Sequence, residues 1–295
     1  MEWSERMNAA ITCIENSLDG NVDFNEAAKK ACCSLFHFQR MFYAIIGVTP
    51  AEYARRRRLT LAAAELAISD IKVIDLAVKY GYDSPDAFTR AFRSVHGITP
   101  QAARGPGVKL TAFPRISFHI KLEGGNDMDY TIIEKKGFNI AITKRRFSTG
   151  GGQNFVRIPQ WWQEFLKSPD YPAMCSLTGD KAGAVTGSVM LGVCMEDEPI
   201  KDPHDYEFYY GIAVELPHKG GAGKFEKMAV PAATWAVFDC TLDNLQEVTR
   251  KIFSEWFPST GYEHDAKPEL EVYFAEDPRS KVMKCQIWIP VVKKK

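Results

Sequence analysis

The chain has 295 residues, enough for about two domains. Apolar residues make up 45% and charged residues 25%, the proportions of an ordinary globular protein, which excludes a disordered or low-complexity chain. Its 37 basic and 37 acidic residues cancel, so bulk charge does not advertise a nucleic-acid or membrane partner, and any such surface must be local.

The first third of the chain repeats at an offset of fifty. Ala27/Ala77, Lys29/Lys79, Ser34/Ser84, Phe38/Phe88, Arg40/Arg90, Phe42/Phe92, Gly47/Gly97, Thr49/Thr99 and Pro50/Pro100 coincide without a gap, nine identities in 24 positions. Each copy reads as helix, tight turn, helix. In the second copy a helix over Val73–Tyr80 is ended by Gly81, and Ser84 caps the next helix with Pro85 at its first position; Ser34 is the matching cap of the first copy. Thr49-Pro50-Ala51-Glu52 has the capping-box pattern and opens a joining helix whose Leu59, Ala62, Ala63 and Leu66 form one stripe. The run Arg55–Arg58 reads as a solvated helix face or as a phosphate contact.

The second helix of each copy divides into two faces. Leu35, Phe38, Phe42 and Ile45 are expected inward, and Phe36, Gln39, Arg40 and Tyr43 outward; in the second copy Phe88, Phe92 and Val95 are expected inward, and Asp86, Thr89, Arg90 and Arg93 outward. Phenylalanine-anchored helices that display Gln and Arg suit a DNA major groove, because Arg grips guanine bidentately and Gln grips adenine. The alternative is a plain helical bundle. Residues 1–105 resemble the DNA-binding region of AraC-type regulators, through Ser34-Leu35-Phe36-His37-Phe38-Gln39-Arg40-Met41-Phe42, Gly47-Val48-Thr49-Pro50-Ala51-Glu52-Tyr53, Asp75-Leu76-Ala77-Val78-Lys79-Tyr80-Gly81-Tyr82 and Gly97-Ile98-Thr99-Pro100. The resemblance implies seven helices, with double-stranded DNA as partner. Phe36, Gln39 and Arg40 would read one groove segment, and Asp86, Thr89 and Arg90 the next, about one DNA turn away. Asp86 would accept from a cytosine amine or stabilise its own helix N-terminus.

Gly105-Pro106-Gly107 marks a break, and residues 106–128 read as a linker with a strand around 116–122 and a turn at Gly124-Gly125-Asn126-Asp127. From 129 to 295 strand-like runs fall near 129–136, 138–147, 188–195, 206–216, 223–230, 233–241, 269–275 and 283–292, with helices near 155–167 and 243–257. This is an α+β pattern, an antiparallel sheet built from two pseudo-repeated strand-helix units. Alternation on 269–274 sets Glu269, Glu271 and Tyr273 on one face, and Leu270, Val272 and Phe274 on the other, which is expected to meet the helices. A carboxylate beside tyrosine suits a cation or a hydrogen-bonding ligand; the alternative is a solvated face.

Residues 129–292 resemble a GyrI-like effector-binding domain, through Ile158-Pro159-Gln160-Trp161-Trp162-Gln163-Glu164-Phe165, Phe253-Ser254-Glu255-Trp256-Phe257-Pro258-Ser259-Thr260-Gly261-Tyr262-Glu263 and Pro268-Glu269-Leu270-Glu271-Val272-Tyr273. That resemblance implies a cleft between the pseudo-repeats, lined by aromatics, with Glu271 at its floor. Tyr273, Trp161, Trp162, Phe155, Tyr209, Trp235 and Trp288 are the other candidate lining residues. The domain order resembles the Rob-type branch of AraC regulators. The expectation is a non-enzymatic transcription regulator that binds DNA, a small-molecule effector and RNA polymerase. The alternatives are a small-molecule hydrolase using Trp161 or Trp162 with Glu271, or a module for protein contact alone.

Seven cysteines, an odd count without a C-x-x-C pair, argue against a disulfide framework and a zinc site, and the six histidines show no ligand spacing. Neither a metal nor a cofactor is expected. No run of about 18 apolar residues suggests a membrane span, and the acidic N-terminus is unlike a signal peptide, so the expected location is the cytoplasm.

Overall fold

Capping and turn chemistry shape the N-terminal half. The computed structural model describes residues 2–119, 128–148, 152–179, 181–195, 207–274 and 283–294. Six α-helices precede the linker: α1 (Trp3–Glu15), α2 (Phe24–Lys30), α3 (Leu35–Ile46), α4 (Pro50–Ile68), α5 (Val73–Lys79) and α6 (Pro85–His96). The seventh expected helix is a single 3₁₀ turn over Ala102–Arg104. Ser34 and Ser84 accept from the backbone N–H groups of His37 and Ala87 at 3.2 and 3.1 Å, so the two repeat caps are equivalent. Gly81 takes φ +72°, as the turn after α5 requires, whereas the first copy places Cys32 at φ 58°.

The joining helix α4 spends its arginines internally. Arg57 pairs with Glu15 of α1 at 2.8 Å, and Tyr53 donates to the same carboxylate. Arg58 donates to the carbonyls of Leu18 and Gly20. Arg55 and Arg56 both pair with Glu52, which therefore does not complete a capping box, although Thr49 accepts from Glu52 N–H as expected. The four-arginine run thus ties α4 to its neighbours and to itself. Leu59, Ala62, Ala63 and Leu66 are buried with Leu76, Phe88 and Phe92.

The strand expected from residue 116 does not form in the described part; residues 120–127, with the expected turn, lie outside it. Residues 111–118 instead run extended along the helices. Thr111 N–H donates to His96 Nδ1, Phe113 N–H to Thr60, and Phe118 N–H to Asn8. With its ladder groups bonded to helix side chains, the segment has no call on a strand partner. Because His96 Nδ1 accepts from Thr111 N–H, the ring proton sits on Nε2, which donates to the Leu59 carbonyl, and the ring is neutral; burial lowers its pKa, with the Leu59 hydrogen bond opposing it.

Among the described residues, the C-terminal half forms a nine-stranded antiparallel sheet. Its strands are β1 (Thr131–Lys135), β2 (Phe138–Ser148), β3 (Met190–Met195), β4 (Glu207–Glu215), β5 (Glu226–Val230), β6 (Ala233–Thr241), β7 (Tyr262–His264), β8 (Glu269–Tyr273) and β9 (Lys284–Lys293). The helices are α7 (Gln153–Lys167), α8 (Asp170–Cys175) and α9 (Leu245–Lys251), the last continuing through a π turn (Ile252–Trp256) into α10 (Phe257–Ser259). The order β1-β6-β9-β8-β3-β4-β2-β5 pairs like with like from either edge, with β3 and β8 at the centre, and β7 pairs β9 off that path. Links of two residues join β1 to β2 and β5 to β6 across opposite ends of this order. So short a link spans about 7 Å, so the sheet curls until its edges approach. One face closes over a core that runs from Ile133 on β1 to Met228 on β5 and contains Trp235 and Trp288. Trp161 and Trp162 of α7 contact the opposite face at Tyr210, and Trp256 contacts it at Phe238.

The described chain falls into two compact units. One takes residues up to Gln39 and from Val48 through the linker; the other takes Arg40–Gly47 and the sheet domain. Among the described residues no helix is long and apolar enough to cross a membrane.

Candidate ligand pocket and nucleic-acid interface

The pocket is built on the two central strands. The ladder sets Gly192 of β3 opposite Glu271 of β8, with Cys194 opposite both Glu269 and Tyr210. Glu269, Glu271 and Tyr273 therefore point to the helix side, while Leu270 and Val272 enter the core on the other face. This inverts the expected orientation of β8. Alternation fixes which residues share a face but not which face the helices cover, and the curled side demanded the smooth apolar residues.

Glu271 is the polar centre. Tyr273 donates to Oε2 at 2.7 Å, Tyr210 donates to the same oxygen, and Trp162 Nε1–H donates to Tyr210 Oη at 2.9 Å. No described residue donates to Oε1. Burial pushes the Glu271 pKa above the usual carboxylate range, with the two tyrosine hydrogen bonds opposing it. Burial also drives both tyrosines well above their usual range, reinforced by the Glu271 charge, so they remain donors. Glu215 shows the contrast: Val185 N–H, Thr186 N–H and the Thr186 hydroxyl use both of its oxygens, which makes it a loop anchor.

Around Glu271 lies a cavity of about 340 Å³, walled by Phe155, Ile158, Trp162, Leu166, Tyr171, Met190, Phe208, Phe253, Tyr273 and Phe274, with Arg40, Asn154, Gln163, Gln246 and Thr249 as further polar groups. Of the eight expected ligand residues, Glu271, Tyr273, Trp162 and Phe155 line it. The others do not. Trp161 is buried against Phe147 and Tyr210, Tyr209 packs on the far face, and Trp235 and Trp288 sit together in the core with centroids 5.8 Å apart. Tyr210 was missed in favour of Tyr209, one residue and hence one sheet face away. Gly192 does not line the cavity but lies opposite Glu271, a position that nothing in the sequence marks until the ladder is known.

The expected DNA-facing residues divide by helix. On α6, Asp86, Arg90 and Arg93 are exposed and Thr89 is half-buried, while Phe88 and Phe92 are fully buried, as expected. On α3, Phe36 and Gln39 are 3% and 4% exposed, which corrects their outward placement. Within the second unit, Arg40 pairs with Glu269 at 2.9 Å, and Tyr43 stacks on Phe155 with centroids 5.2 Å apart. The difference follows composition: α3 carries Phe36, Tyr43 and Ala44 where α6 carries Asp86, Arg93 and Ser94, so the outer face of α3 is the more apolar of the two and favours burial. Burial raises the Glu269 pKa, but the Arg40 guanidinium, followed by His264, outweighs it and holds the carboxyl below its usual range.

Residues 128–292 match the family described as the GyrI-like small molecule binding domain, and residues 27–105 match a helix-turn-helix domain. The chain belongs to the GyrI-like family and is an AraC-type DNA-binding regulator with a C-terminal small-molecule-binding domain. It is 41% identical over 91 residues to the Tn10 TetD protein of Escherichia coli, covering 31% of this chain and 66% of TetD. It is 35% identical over 101 residues to the transcriptional activator AarP of Providencia stuartii, covering 34% of this chain and 75% of AarP. A solved structure, SAV2435 bound to tetraphenylphosphonium, aligns with 56% of this chain and 94% of its own at 19% identity and a TM-score of 0.43.

Proposed function

We propose that the cavity takes an aromatic or aliphatic monocation, with Glu271 as its counter-charge. The observation that carries this is a buried carboxylate in a mostly apolar cavity, both of its hydrogen bonds falling on Oε2 and none from a described residue on Oε1, while the Arg40 guanidinium on the same cavity is paired with Glu269. A buried carboxylate is costly until a positive charge meets it, so a cation with an apolar body gains twice over, by neutralising the charge and by burying its own surface against Trp162, Phe155 and Tyr273. A polar or anionic effector gains neither. On the DNA side, the reading assigns base contacts to Thr89 and Arg90 and backbone contacts to Arg93, with Asp86 acting on the N-terminus of its own helix. Phe36, Gln39, Arg40 and Tyr43 would join only after leaving their packed positions. Since AarP is described as an activator, RNA polymerase is the partner expected for the DNA-bound protein.

The test is a fluorescence titration with N-benzylisoquinolinium against its neutral isostere 2-benzylnaphthalene. The cation should bind the more tightly, and Glu271→Gln should abolish the difference. Because Glu271 must be ionised to act, preference for the cation should be complete above its raised pKa and fade as pH falls through it. Equal binding of both probes would sink the cation reading.

A further inference from the structure

The two halves of the sheet domain are related by their strand order, and the centre of that relation is occupied unequally. Setting β3 on β8 by their shared Leu-x-Val, Leu191-Gly192-Val193 on Leu270-Glu271-Val272, makes Gly192 the counterpart of Glu271. The same two residues lie directly opposite one another in the ladder. Equivalent positions thus face each other at the pseudo-two-fold axis. Opposed positions of this ladder do hold two full side chains, as Leu191 with Val272 shows, but two carboxylates there would repel. The chain resolves the conflict with one carboxylate and one hydrogen.

The consequence is geometric. A Cβ on Gly192 would overlap Tyr210 Oη and stand 2.6 Å from Glu271 Oε2. Neither neighbour yields easily, since Tyr210 is 1% exposed and tethered by Trp162. We propose that Gly192 is the positioning residue of the ligand pocket: its missing side chain admits the Tyr210 hydroxyl onto Oε2 and so leaves Oε1 for the ligand. This rests on the cation reading for the identity of the ligand, but not for the geometry.

Gly192→Ala in the full-length protein should push the Tyr210 hydroxyl off Glu271. The carboxylate then loses a donor that favours its charged form, and its pKa rises. The other titratable or charged groups about Glu271 are Tyr210, Tyr273, Glu269, Cys194 and Arg40, with Cys240 and Cys285 beyond Tyr273. The two tyrosines, Cys194, Cys240 and Arg40 are shifted upward and Glu269 downward, away from the range in which Glu271 titrates. Probe binding at neutral pH should weaken about tenfold, and the pH midpoint of binding should rise by about one unit. Tyr210→Phe should give the same shift. The Gly192→Ala/Tyr210→Phe double variant should be no worse than either single one, since without the hydroxyl the added methyl has less to displace. Recovery of folding by Tyr210→Phe, if Gly192→Ala alone does not fold, is the same result in another form.

An unchanged midpoint in Gly192→Ala overturns the proposal, as do additive losses in the double variant or a double variant that does not fold. The carboxyl infrared band follows Glu271 protonation without any ligand. Failure of the wild-type protein to prefer the cation therefore sinks the cation reading while leaving this test intact.

Discussion

The two second helices of the repeat, α3 and α6, share their phenylalanines and their arginine, yet the structure treats them differently. Phe38 and Phe42, like Phe88 and Phe92, are fully buried. Arg90 is exposed, whereas Arg40 is held against Glu269. The lesson is that a repeat transmits its core and its caps, which depend on residues within the copy, but not the fate of its outer face, which depends on the polarity of whatever else that face carries.

The largest expected effect tests the held arginine. Arg40→Ala strands a buried carboxylate and should cost about 3 kcal/mol in urea unfolding, at the low end for a broken buried pair because His264 remains 3.2 Å from Glu269. Arg90→Ala should change stability by less than about 0.5 kcal/mol. Equal costs would erase the distinction between the helices. Next in size, Arg90→Ala should weaken specific DNA binding by about 1–3 kcal/mol, roughly 5- to 150-fold, in a mobility-shift titration at fixed salt. A loss confined to Arg40→Ala would transfer the reading role to α3. Smallest, Ser34→Ala and Ser84→Ala should each cost about 1 kcal/mol, since each removes the same capping bond. A clear inequality there would show that the copies diverge in their caps as well as on their surfaces.

Much of this architecture was legible in advance. The strands of the sheet domain fall within a few residues of their alternating runs, except the three-residue β7, which is too short to carry a pattern. The linker strand failed because its alternation serves a segment bonded to helix side chains rather than to a sheet. Resemblance and pattern name Glu271, Tyr273, Trp162 and Phe155, which line the cavity. They do not name Tyr210 or the place of Gly192 opposite Glu271, because both depend on which face of β4 and β3 meets the helices. Trp235 and Trp288 were misassigned for the same reason, since an aromatic side chain suits a core and a ligand wall equally well.

The amino-acid sequence by itself determined the repeat, the caps, the strand alternation and the presence of a carboxylate flanked by tyrosine, because these are local properties of spacing and side-chain chemistry. Only the tertiary structure decided which sheet face carries the cavity, that Tyr210 lines it with Gly192 opposite Glu271, and that Arg40 and Arg90 part company. Those outcomes turn on strand register and on burial against residues far away in the chain, and neither is written in any short stretch of it.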